Sequence, residues 1–282
     1  ADPLDPTLGG DADVVPRPRR VPAGKHMNIP TPNPAITFGV LFEDEHLMVV
    51  HKRAGLVTQP GKGHEDDALL NGICAYRDGK VGKMLARLGE QRDFGLLHRL
   101  DRETSGLLCV ALTPAAYDGM REQFEGKEVR KFYWAITVKA PLQPAGVISR
   151  PILEVEPKKQ GDKKLAKINP AGKPSATAFR VLAISPNGAV VECRPLTGRL
   201  HQVRVHLNSI GCPIVGDGLY APKKVSALSP RLALHAWRLA FTHPITDTPI
   251  DCRSEFPKDL RGVLRKLKLV APDGVGGATQ TP

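Results

Sequence analysis

Short apolar segments separated by turn residues constrain the fold of this 282-residue chain more than any other feature of its sequence. Val40–Phe42 and Leu47–His51 flank one turn, and Thr177–Ile184 and Ala189–Arg194 flank another, so each pair predicts a β-hairpin. Strands joined by tight turns pair antiparallel, whereas parallel strands need a long crossover. The sequence therefore predicts a sheet rich in antiparallel pairs, in a protein of the α/β or α+β class.

Other periodic segments supply further strands and helices. Pro114–Glu125 predicts a helix, because proline is tolerated in a first turn where the backbone N–H has no partner in any case. His201–Ile210 predicts another, and Gly211 is placed to end it. The remaining predictions are a helix over Asp67–Tyr76 and strands over Gly106–Leu112, Val129–Lys139 and Leu232–Phe241.

The ends of the chain differ in composition from its middle. Residues 1–35 are rich in proline, glycine and charge, which predicts a flexible tail. One domain is expected over residues 36–262, followed by a basic and then glycine-rich tail over residues 263–282. Within the domain, the five lysines of Lys158–Lys167 predict a mobile loop that faces either solvent or RNA.

The balance of charge favours a polyanionic partner. The chain has 40 Lys and Arg against 29 Asp and Glu, a formal net charge of +11. Basic side chains bind nucleic acid by displacing the counterions that condense on its phosphates. Many basic proteins bind no nucleic acid, however, so the charge by itself favours such a partner only modestly.

Cysteine usage and hydropathy limit the cellular setting. The five cysteines are odd in number and no two have C-x-x-C spacing, which argues against a disulfide framework and against a zinc site. No apolar run approaches the roughly 20 residues of a membrane-spanning helix. We therefore expect a cytoplasmic protein with reduced thiols, no membrane association and no bound metal.

Two polar segments next to predicted core elements are candidates for chemistry. Residues 98–108 run into an apolar strand and contain Asp101. Judged locally, an aspartate in such a place more often stabilises a turn through backbone N–H groups than performs chemistry. Residues 196–206 begin a predicted helix, whose polar side chains contact solvent by default. His201 and Arg204 lie three positions apart on that helix and so share a face.

Three familiar chemistries fit these segments poorly. The sequence His-Arg-Leu-Asp at residues 98–101 has no glycine-rich nucleotide loop and no Asp-Phe-Gly after it, as a kinase would require. Ser105 lies outside the Gly-x-Ser-x-Gly elbow of a hydrolase, although a hydrolase that uses Ser105 or His98 stays as a rival hypothesis. The nine histidines show no metal-ligand spacing.

Residues 98–108 resemble the signature of RluA-type pseudouridine synthases. Other segments resemble further motifs of that family in the same order, so the similarity covers roughly residues 36–260. These segments are residues 43–56, Lys131–Ala135, Leu196–Leu207, Gly211–Asp217 and Leu234–Ala236. The chain departs from the family pattern at Arg53, where proline is usual, and at Leu200, where threonine is usual. Residues 1–35 are too short for the RNA-binding module that precedes many relatives, so a stand-alone catalytic domain is expected.

The resemblance implies a fold and roles for single residues. The expected fold is α+β, with a mixed, mainly antiparallel sheet in two subdomains around a central RNA-binding cleft. In that cleft Asp101 is the catalytic carboxylate, Arg199 pairs with it, and Tyr133 stacks on the uracil. RNA contacts are expected from five further side chains, Arg99, Arg102, His201, Gln202 and Arg204.

The implied reaction converts uridine to pseudouridine in ribosomal or transfer RNA. The C1′–N1 bond breaks and the uracil rejoins through C5, so no cofactor is required. An ionised Asp101 can attack C1′ or take a proton as a glycal forms, and the sequence leaves both routes open. The target base must first leave its stack. A monomer is expected, and a non-catalytic RNA-binding protein on the same scaffold is the alternative.

Overall fold

The computed structural model describes residues 29–156 and 164–272, which contain eleven strands and six α-helices. The strands are β1 (Gly39–Glu43), β2 (Leu47–Lys52), β3 (Ser105–Ala111), β4 (Arg130–Thr137), β5 (Ala145–Ser149), β6 (Ile152–Val155), β7 (Leu165–Ile168), β8 (Ala176–Ser185), β9 (Gly188–Pro195), β10 (Leu234–Thr242) and β11 (Pro249–Arg253). The α-helices are α1 (Leu69–Ala75), α2 (Lys80–Leu88), α3 (Pro114–Glu125), α4 (Gln202–Ser209), α5 (Lys223–Ser226) and α6 (Arg261–Leu267). Two 3-10 helices occupy Glu90–Gly95 and Lys258–Leu260. None of the helices in the two described ranges is long and apolar enough to cross a membrane.

Nine of the strands form one sheet. Its order is β1-β2-β3-β10-β4-β9-β8-β5, and β11 pairs with the C-terminal part of β10. The pairs are antiparallel except for β3 and β10, which run parallel. Strands β6 and β7 form a separate antiparallel hairpin. The predicted α+β fold with a mixed, mainly antiparallel sheet is therefore confirmed.

The strongest local signals in the sequence correspond to the observed elements. Both predicted hairpins form, and the second turns between Ser185 and Gly188. Helix α3 begins at Pro114, and the hydroxyl of Thr113 accepts a hydrogen bond from the Ala116 N–H, which caps the helix. Every residue of β3 is buried, because this strand lies inside the sheet and is covered on both faces.

The C-terminal boundary differs from the prediction. The boundary expected between residues 262 and 263 falls inside α6. Val263, Leu264 and Leu267 on this helix are buried in the main core, and so is Leu269 after it. The helix is short and rich in basic residues, which obscures its apolar face in the sequence. The domain therefore extends at least to Leu269.

Two further segments differ from their predicted conformation. The loop predicted over Lys158–Lys167 is wrong at its end, because β7 begins at Leu165; residues 157–163 lie outside the described part of the chain. Most of the tail predicted over residues 1–35 also lies outside it. From Ile29 onward, however, the chain is attached to α1, since the Asn71 side chain donates a hydrogen bond to the Thr31 carbonyl at 2.8 Å.

Close contact between central strands brings the candidate site together. Gly106 on β3 lies directly beside Ala236 on β10 and has a φ of +125°. Any side chain at Gly106 would collide with the Ala236 backbone, so only glycine permits this approach. Ala236 in turn pairs with Tyr133 on β4. Tyr133 and the loop that leads into β3 therefore lie one strand apart.

Candidate active site

Asp101 lies in the loop that leads into β3. The Thr104 N–H donates to the Asp101 carbonyl at 3.1 Å, which closes a tight turn, and the Thr58 hydroxyl donates to the Leu100 carbonyl at 2.9 Å. The Asp101 side chain is 25% exposed. A well-fixed backbone thus carries a carboxylate that a ligand can reach.

The contacts of the Asp101 carboxylate are not those of a turn-stabilising aspartate. Arg204 Nη1 donates to Asp101 Oδ2 at 3.3 Å, and His201 Nε2 lies 3.9 Å from the same oxygen. Within the described residues, no backbone N–H donates to this carboxylate and no group hydrogen-bonds to its Oδ1. One oxygen is therefore held by the protein, and the other has no hydrogen-bond partner among the described residues.

Arg204 is buried and bridges two carboxylates. Its Nε and Nη2 atoms donate to Asp217 Oδ2 and Oδ1 at 2.9 and 2.8 Å, a bidentate pair, while Nη1 faces Asp101. Burial works against both charges. The hydrogen bonds and opposite charges within the cluster outweigh it, so the pKa of Asp217 lies below and that of Arg204 above its ordinary value. The guanidinium therefore stays charged beside Asp101.

The predicted pairing of Arg199 with Asp101 is wrong. Helix α4 begins at Gln202, so Arg199 lies in the turn before it, where its Nε donates to the Pro174 carbonyl at 3.2 Å. Arg204 lies inside the helix and points at Asp101 instead. His201 was predicted to share a helix face with Arg204, but it precedes α4 and has a left-handed backbone. Both side chains nevertheless lie near Asp101 Oδ2, at 3.9 and 3.3 Å.

His201 has an unusual backbone and a fixed ring. Its φ of +52° lies in the left-handed region, which a non-glycine residue adopts at a cost of about 1 kcal/mol or more. Its Nδ1 lies 2.7 Å from the hydroxyl of Tyr220. Burial lowers the pKa of His201, although the charge of Asp101 opposes this effect. The imidazole is consequently neutral at neutral pH.

Tyr133 lies near Asp101 on β4. The side chain is 9% exposed, and burial, reinforced by the negative charge of Asp101, raises the pKa of its hydroxyl. Among the described residues no group hydrogen-bonds to that hydroxyl. The Tyr133 hydroxyl is thus neutral and lies in the electrostatic field of Asp101.

The Lys52 side chain fixes the backbone next to Asp101 through hydrogen bonds to carbonyl groups. This fully buried side chain donates to the carbonyls of Leu56, Arg53 and Arg102 at 2.7, 3.1 and 3.1 Å. The last contact ties the residue after Asp101 to the end of β2. Burial lowers the pKa of the Lys52 ammonium to about 7, even though the charge of Asp101 opposes it.

The lowered pKa of Lys52 predicts a pH-dependent stability. Above pH 7 the unfolded chain binds more protons at this position than the folded chain, so the contribution of Lys52 to the free energy of unfolding rises with pH. We expect the wild-type value minus the Lys52→Met value to increase by about 2 kcal/mol between pH 7 and pH 9. Urea denaturation of both proteins from pH 5 to pH 9 measures this difference. A difference that stays constant across that range would contradict the shift.

Comparison with known proteins places this site in a family. A family model described as RNA pseudouridylate synthase matches residues 46–209. Ribosomal large subunit pseudouridine synthase D of Zymomonas mobilis is 36% identical over 258 residues, covering 86% of this chain and 78% of that protein. Dual-specificity RNA pseudouridine synthase RluA of Yersinia pestis is 36% identical over 224 residues, covering 77% of this chain and 99% of that protein.

This chain belongs to the RluA-type pseudouridine synthases. The solved structure of human RNA pseudouridylate synthase domain containing 4 superposes with a TM-score of 0.64 at 26% identity, covering 83% of this chain and 95% of that one. The matched region of this pseudouridine synthase ends at residue 209, so Asp217 and Tyr220 lie beyond it.

Sequence reasoning missed three residues of this pseudouridine synthase site, Lys52, Asp217 and Tyr220. Lys52 and Asp217 stand within segments that resemble family motifs, and a lysine or aspartate among apolar residues is itself a signal. Lys52 reaches the site through the Arg102 carbonyl, 50 positions away, and Asp217 reaches it through Arg204, which lies 103 positions from Asp101. Without the fold, neither residue could be given a role.

Some of the predicted RNA-contacting side chains are exposed, and others are hydrogen-bonded within the protein. Arg99 and Arg102 are exposed next to the Asp101 turn, as an RNA contact requires, and Arg102 Nε also donates to the Gly55 carbonyl at 3.1 Å. Gln202 is buried. Its amide oxygen accepts two hydrogen bonds and its amide nitrogen donates two, all within the protein. The hydrogen-bonding capacity of the Gln202 side chain is therefore used within the protein, and its contact with RNA stays a prediction.

The rival hydrolase hypothesis fails on geometry. Ser105 does bond to a histidine, with its hydroxyl 2.9 Å from His235 Nδ1, but both residues are buried between β3 and β10. His98 accepts a hydrogen bond from the Cys109 N–H, and burial lowers its pKa well below the ordinary value. The Ser105, His235 and His98 side chains therefore make hydrogen bonds within the protein interior. In residues 29–156 and 164–272, no group of three or more His, Cys, Asp or Glu side chains could hold a metal ion.

Proposed function

We propose that this enzyme isomerises uridine to pseudouridine in structured ribosomal RNA, with Asp101 as the catalytic carboxylate and the target base flipped into the cleft. The observation that carries the proposal is that the two oxygens of the Asp101 carboxylate have different surroundings. Oδ2 faces Arg204 and His201, whereas Oδ1 has no hydrogen-bond partner among the described residues. Asp101 is partly exposed, so Oδ1 is open to a substrate while Oδ2 is held by the protein.

The reaction needs an anion at C1′. As the C1′–N1 bond breaks, Asp101 Oδ1 either bonds to C1′ or takes a proton from the ribose to form a glycal. The uracil then turns, C5 bonds to C1′, and the carboxylate leaves or returns its proton. Loss of the C5 proton and gain of a proton at N1 complete the isomerisation, so the atoms balance without a co-reactant.

Arg204 and Tyr133 serve different parts of this reaction in the proposal. The charged guanidinium lies 3.3 Å from Asp101 Oδ2 and places a positive charge beside the carboxylate that both chemical routes use. Tyr133 offers a ring on which uracil can stack and a neutral hydroxyl near the C5 proton that departs. An arginine is suited to the first role because its planar fork can bind Asp217 bidentately and still reach Asp101.

The substrate class rests on the named activities of relatives. Several are ribosomal large subunit pseudouridine synthases, including those of Zymomonas mobilis and Vibrio vulnificus. We propose ribosomal RNA as the substrate of this chain. We also propose that it is a cytoplasmic monomer, because its five buried cysteines form no disulfide and thiols stay reduced in the cytoplasm.

Pseudouridine mapping over total RNA tests this assignment. Comparing cells with and without the gene, we expect one or a few sites to disappear from large-subunit ribosomal RNA. Losses confined to transfer RNA would move the substrate to that class. If every pseudouridine persists, the proposed function is wrong.

Affinity for RNA is expected to fall steeply with salt. The chain carries a net charge of +11, and Arg99 lies exposed beside the site with no ion-pair partner among the described residues. Each phosphate contact contributes about 0.7–0.9 to the slope of log affinity against log salt, so Arg99→Ala should flatten the slope by about 1. Arg92→Ala is the control, because that guanidinium is held by Asp118 through two 2.9 Å bonds. A slope unchanged by Arg99→Ala, or affinity independent of salt, contradicts the expectation.

A further inference from the structure

The hydroxyl of Tyr220 connects the β6–β7 hairpin to the catalytic carboxylate. Tyr220 Oη accepts a hydrogen bond from the Ala166 N–H on β7 at 2.9 Å and lies 2.7 Å from His201 Nδ1. On the other side of the imidazole, Nε2 lies 3.9 Å from Asp101 Oδ2. Two hydrogen bonds and one electrostatic approach of 3.9 Å therefore lead from the hairpin backbone to Asp101.

The donor at Ala166 fixes the direction of the next hydrogen bond. A backbone N–H can only donate, so the Tyr220 oxygen accepts from Ala166 and its own proton is free to be donated to His201 Nδ1. If His201 Nδ1–H donated to Tyr220 instead, the Tyr220 oxygen would accept two hydrogen bonds. The hydroxyl proton of Tyr220 would then have no acceptor among the described residues. Tyr220 therefore donates, and the proton of the neutral imidazole resides on Nε2.

The charge next to His201 favours the same tautomer independently. An Nε2–H directs a positive dipole at the Asp101 carboxylate, whereas an Nε2 lone pair would face that negative charge. Burial raises the pKa of Tyr220 and lowers that of His201, so both remain neutral near pH 7 and the direction is preserved. The Tyr220 ring itself is held by Ile152, Ala166 and Val205 on one side, with the Arg204 guanidinium 5.1 Å from its centre.

We propose that Tyr220 is a positioning residue of this enzyme, which holds His201 in the Nε2–H tautomer so that Nε2–H and Arg204 together fix Asp101 Oδ2 and turn Oδ1 toward the substrate. The proposal rests on the proposed function of Asp101 and extends it to Tyr220, which lies beyond the residues that the family model matches. Ala166 contributes through its backbone, so the hairpin sets the orientation of the carboxylate without touching the reacting atoms.

Histidine-selective ¹⁵N NMR on the full-length enzyme tests the tautomer directly. We expect His201 of the wild type to show a protonated Nε2 and an unprotonated Nδ1, with the signal among the nine histidines assigned by its loss in His201→Gln. Tyr220→Phe keeps the ring and removes the hydroxyl, so a substantial fraction of the Nδ1–H tautomer should appear. A wild-type Nδ1–H tautomer, or an unchanged tautomer in Tyr220→Phe, overturns the proposal.

Kinetics distinguish positioning from general stability. We expect Tyr220→Phe to lower kcat about ten-fold with RNA affinity unchanged, whereas Tyr117→Phe, which loses a 2.9 Å hydroxyl bond to Asp93 outside the site, should leave kcat within about two-fold. In a His201→Ala background, Tyr220→Phe should have no further effect. Multiplicative effects of the two substitutions would show that Tyr220 acts without His201. The NMR result needs no RNA, so if the wild type formed no pseudouridine, the proposed function would fail separately from this inference.

Discussion

Asp101→Asn is expected to reduce pseudouridine formation to background, a loss of about 10³-fold or more, while the protein folds and binds RNA normally. The amide has nearly the shape of the carboxylate but cannot act as an anionic nucleophile or as a base. Folding should survive because Arg204 keeps its bidentate partner Asp217 and is not left as an unpaired buried charge. Turnover on cellular RNA, a melting curve and an RNA-binding titration measure the three properties.

Asp251→Asn provides a matched control for the loss of an arginine-paired aspartate. Asp251 accepts hydrogen bonds from Arg238 and Arg253 at 2.7–2.9 Å on strand β11, apart from the Asp101 cluster. We expect this variant to lose about 1 kcal/mol of stability at most and to keep its turnover. If Asp101→Asn melted normally and still made pseudouridine, Asp101 would be a structural residue. The alternative of a non-catalytic RNA-binding protein predicts binding without turnover in the wild type as well.

Arg204→Lys is expected to lower turnover by about 10²-fold or more and to destabilise the protein by about 2 kcal/mol. A lysine keeps the positive charge but has a single nitrogen, which cannot bind Asp217 bidentately and reach Asp101 at the same time. Single-turnover rates measured well below the melting temperature separate the chemical defect from unfolding, and a titration reports RNA affinity.

Arg199→Lys is the control for Arg204→Lys, because it makes the same substitution five positions away in the same motif. Its guanidinium donates to the Pro174 carbonyl, a contact that a lysine can replace. We expect single-turnover rates within about three-fold of the wild type, with any loss appearing in RNA affinity. The reverse pattern, a large chemical defect in Arg199→Lys and a small one in Arg204→Lys, would restore the pairing that the motif alone suggested.

These two arginines illustrate how far the sequence reaches. The resemblance implied that a guanidinium belongs near Asp101. The predicted helix starts at His201 and the observed one at Gln202, so Arg199 precedes the helix in both cases and the helix boundary does not decide which arginine is used. The choice depends on how α4 packs against the Asp101 loop, which directs Arg204 at Asp101 and leaves Arg199 at the Pro174 carbonyl.

The elements predicted most accurately have local causes. Helix α3 begins at Pro114 with a Thr113 cap, and the β8–β9 hairpin turns at Ser185–Gly188, because capping and turn formation depend on neighbouring residues. The short helix α6 and the hairpin strand β7 were not predicted, since each is stabilised mainly by packing against distant parts of the chain.

By itself the sequence determined the antiparallel hairpins, the α+β class, the family and the carboxylate on which the chemistry is expected to depend, because these follow from periodicity and short motifs. Only the tertiary structure decided which oxygen of Asp101 is free, which arginine holds the other, and how Lys52 and Tyr220 enter the site. Those contacts join groups up to 103 positions apart, and their geometry depends on how β3, β10 and α4 pack together. Hydrogen-bond direction and burial are properties of that packing, so no spacing along the chain encodes them.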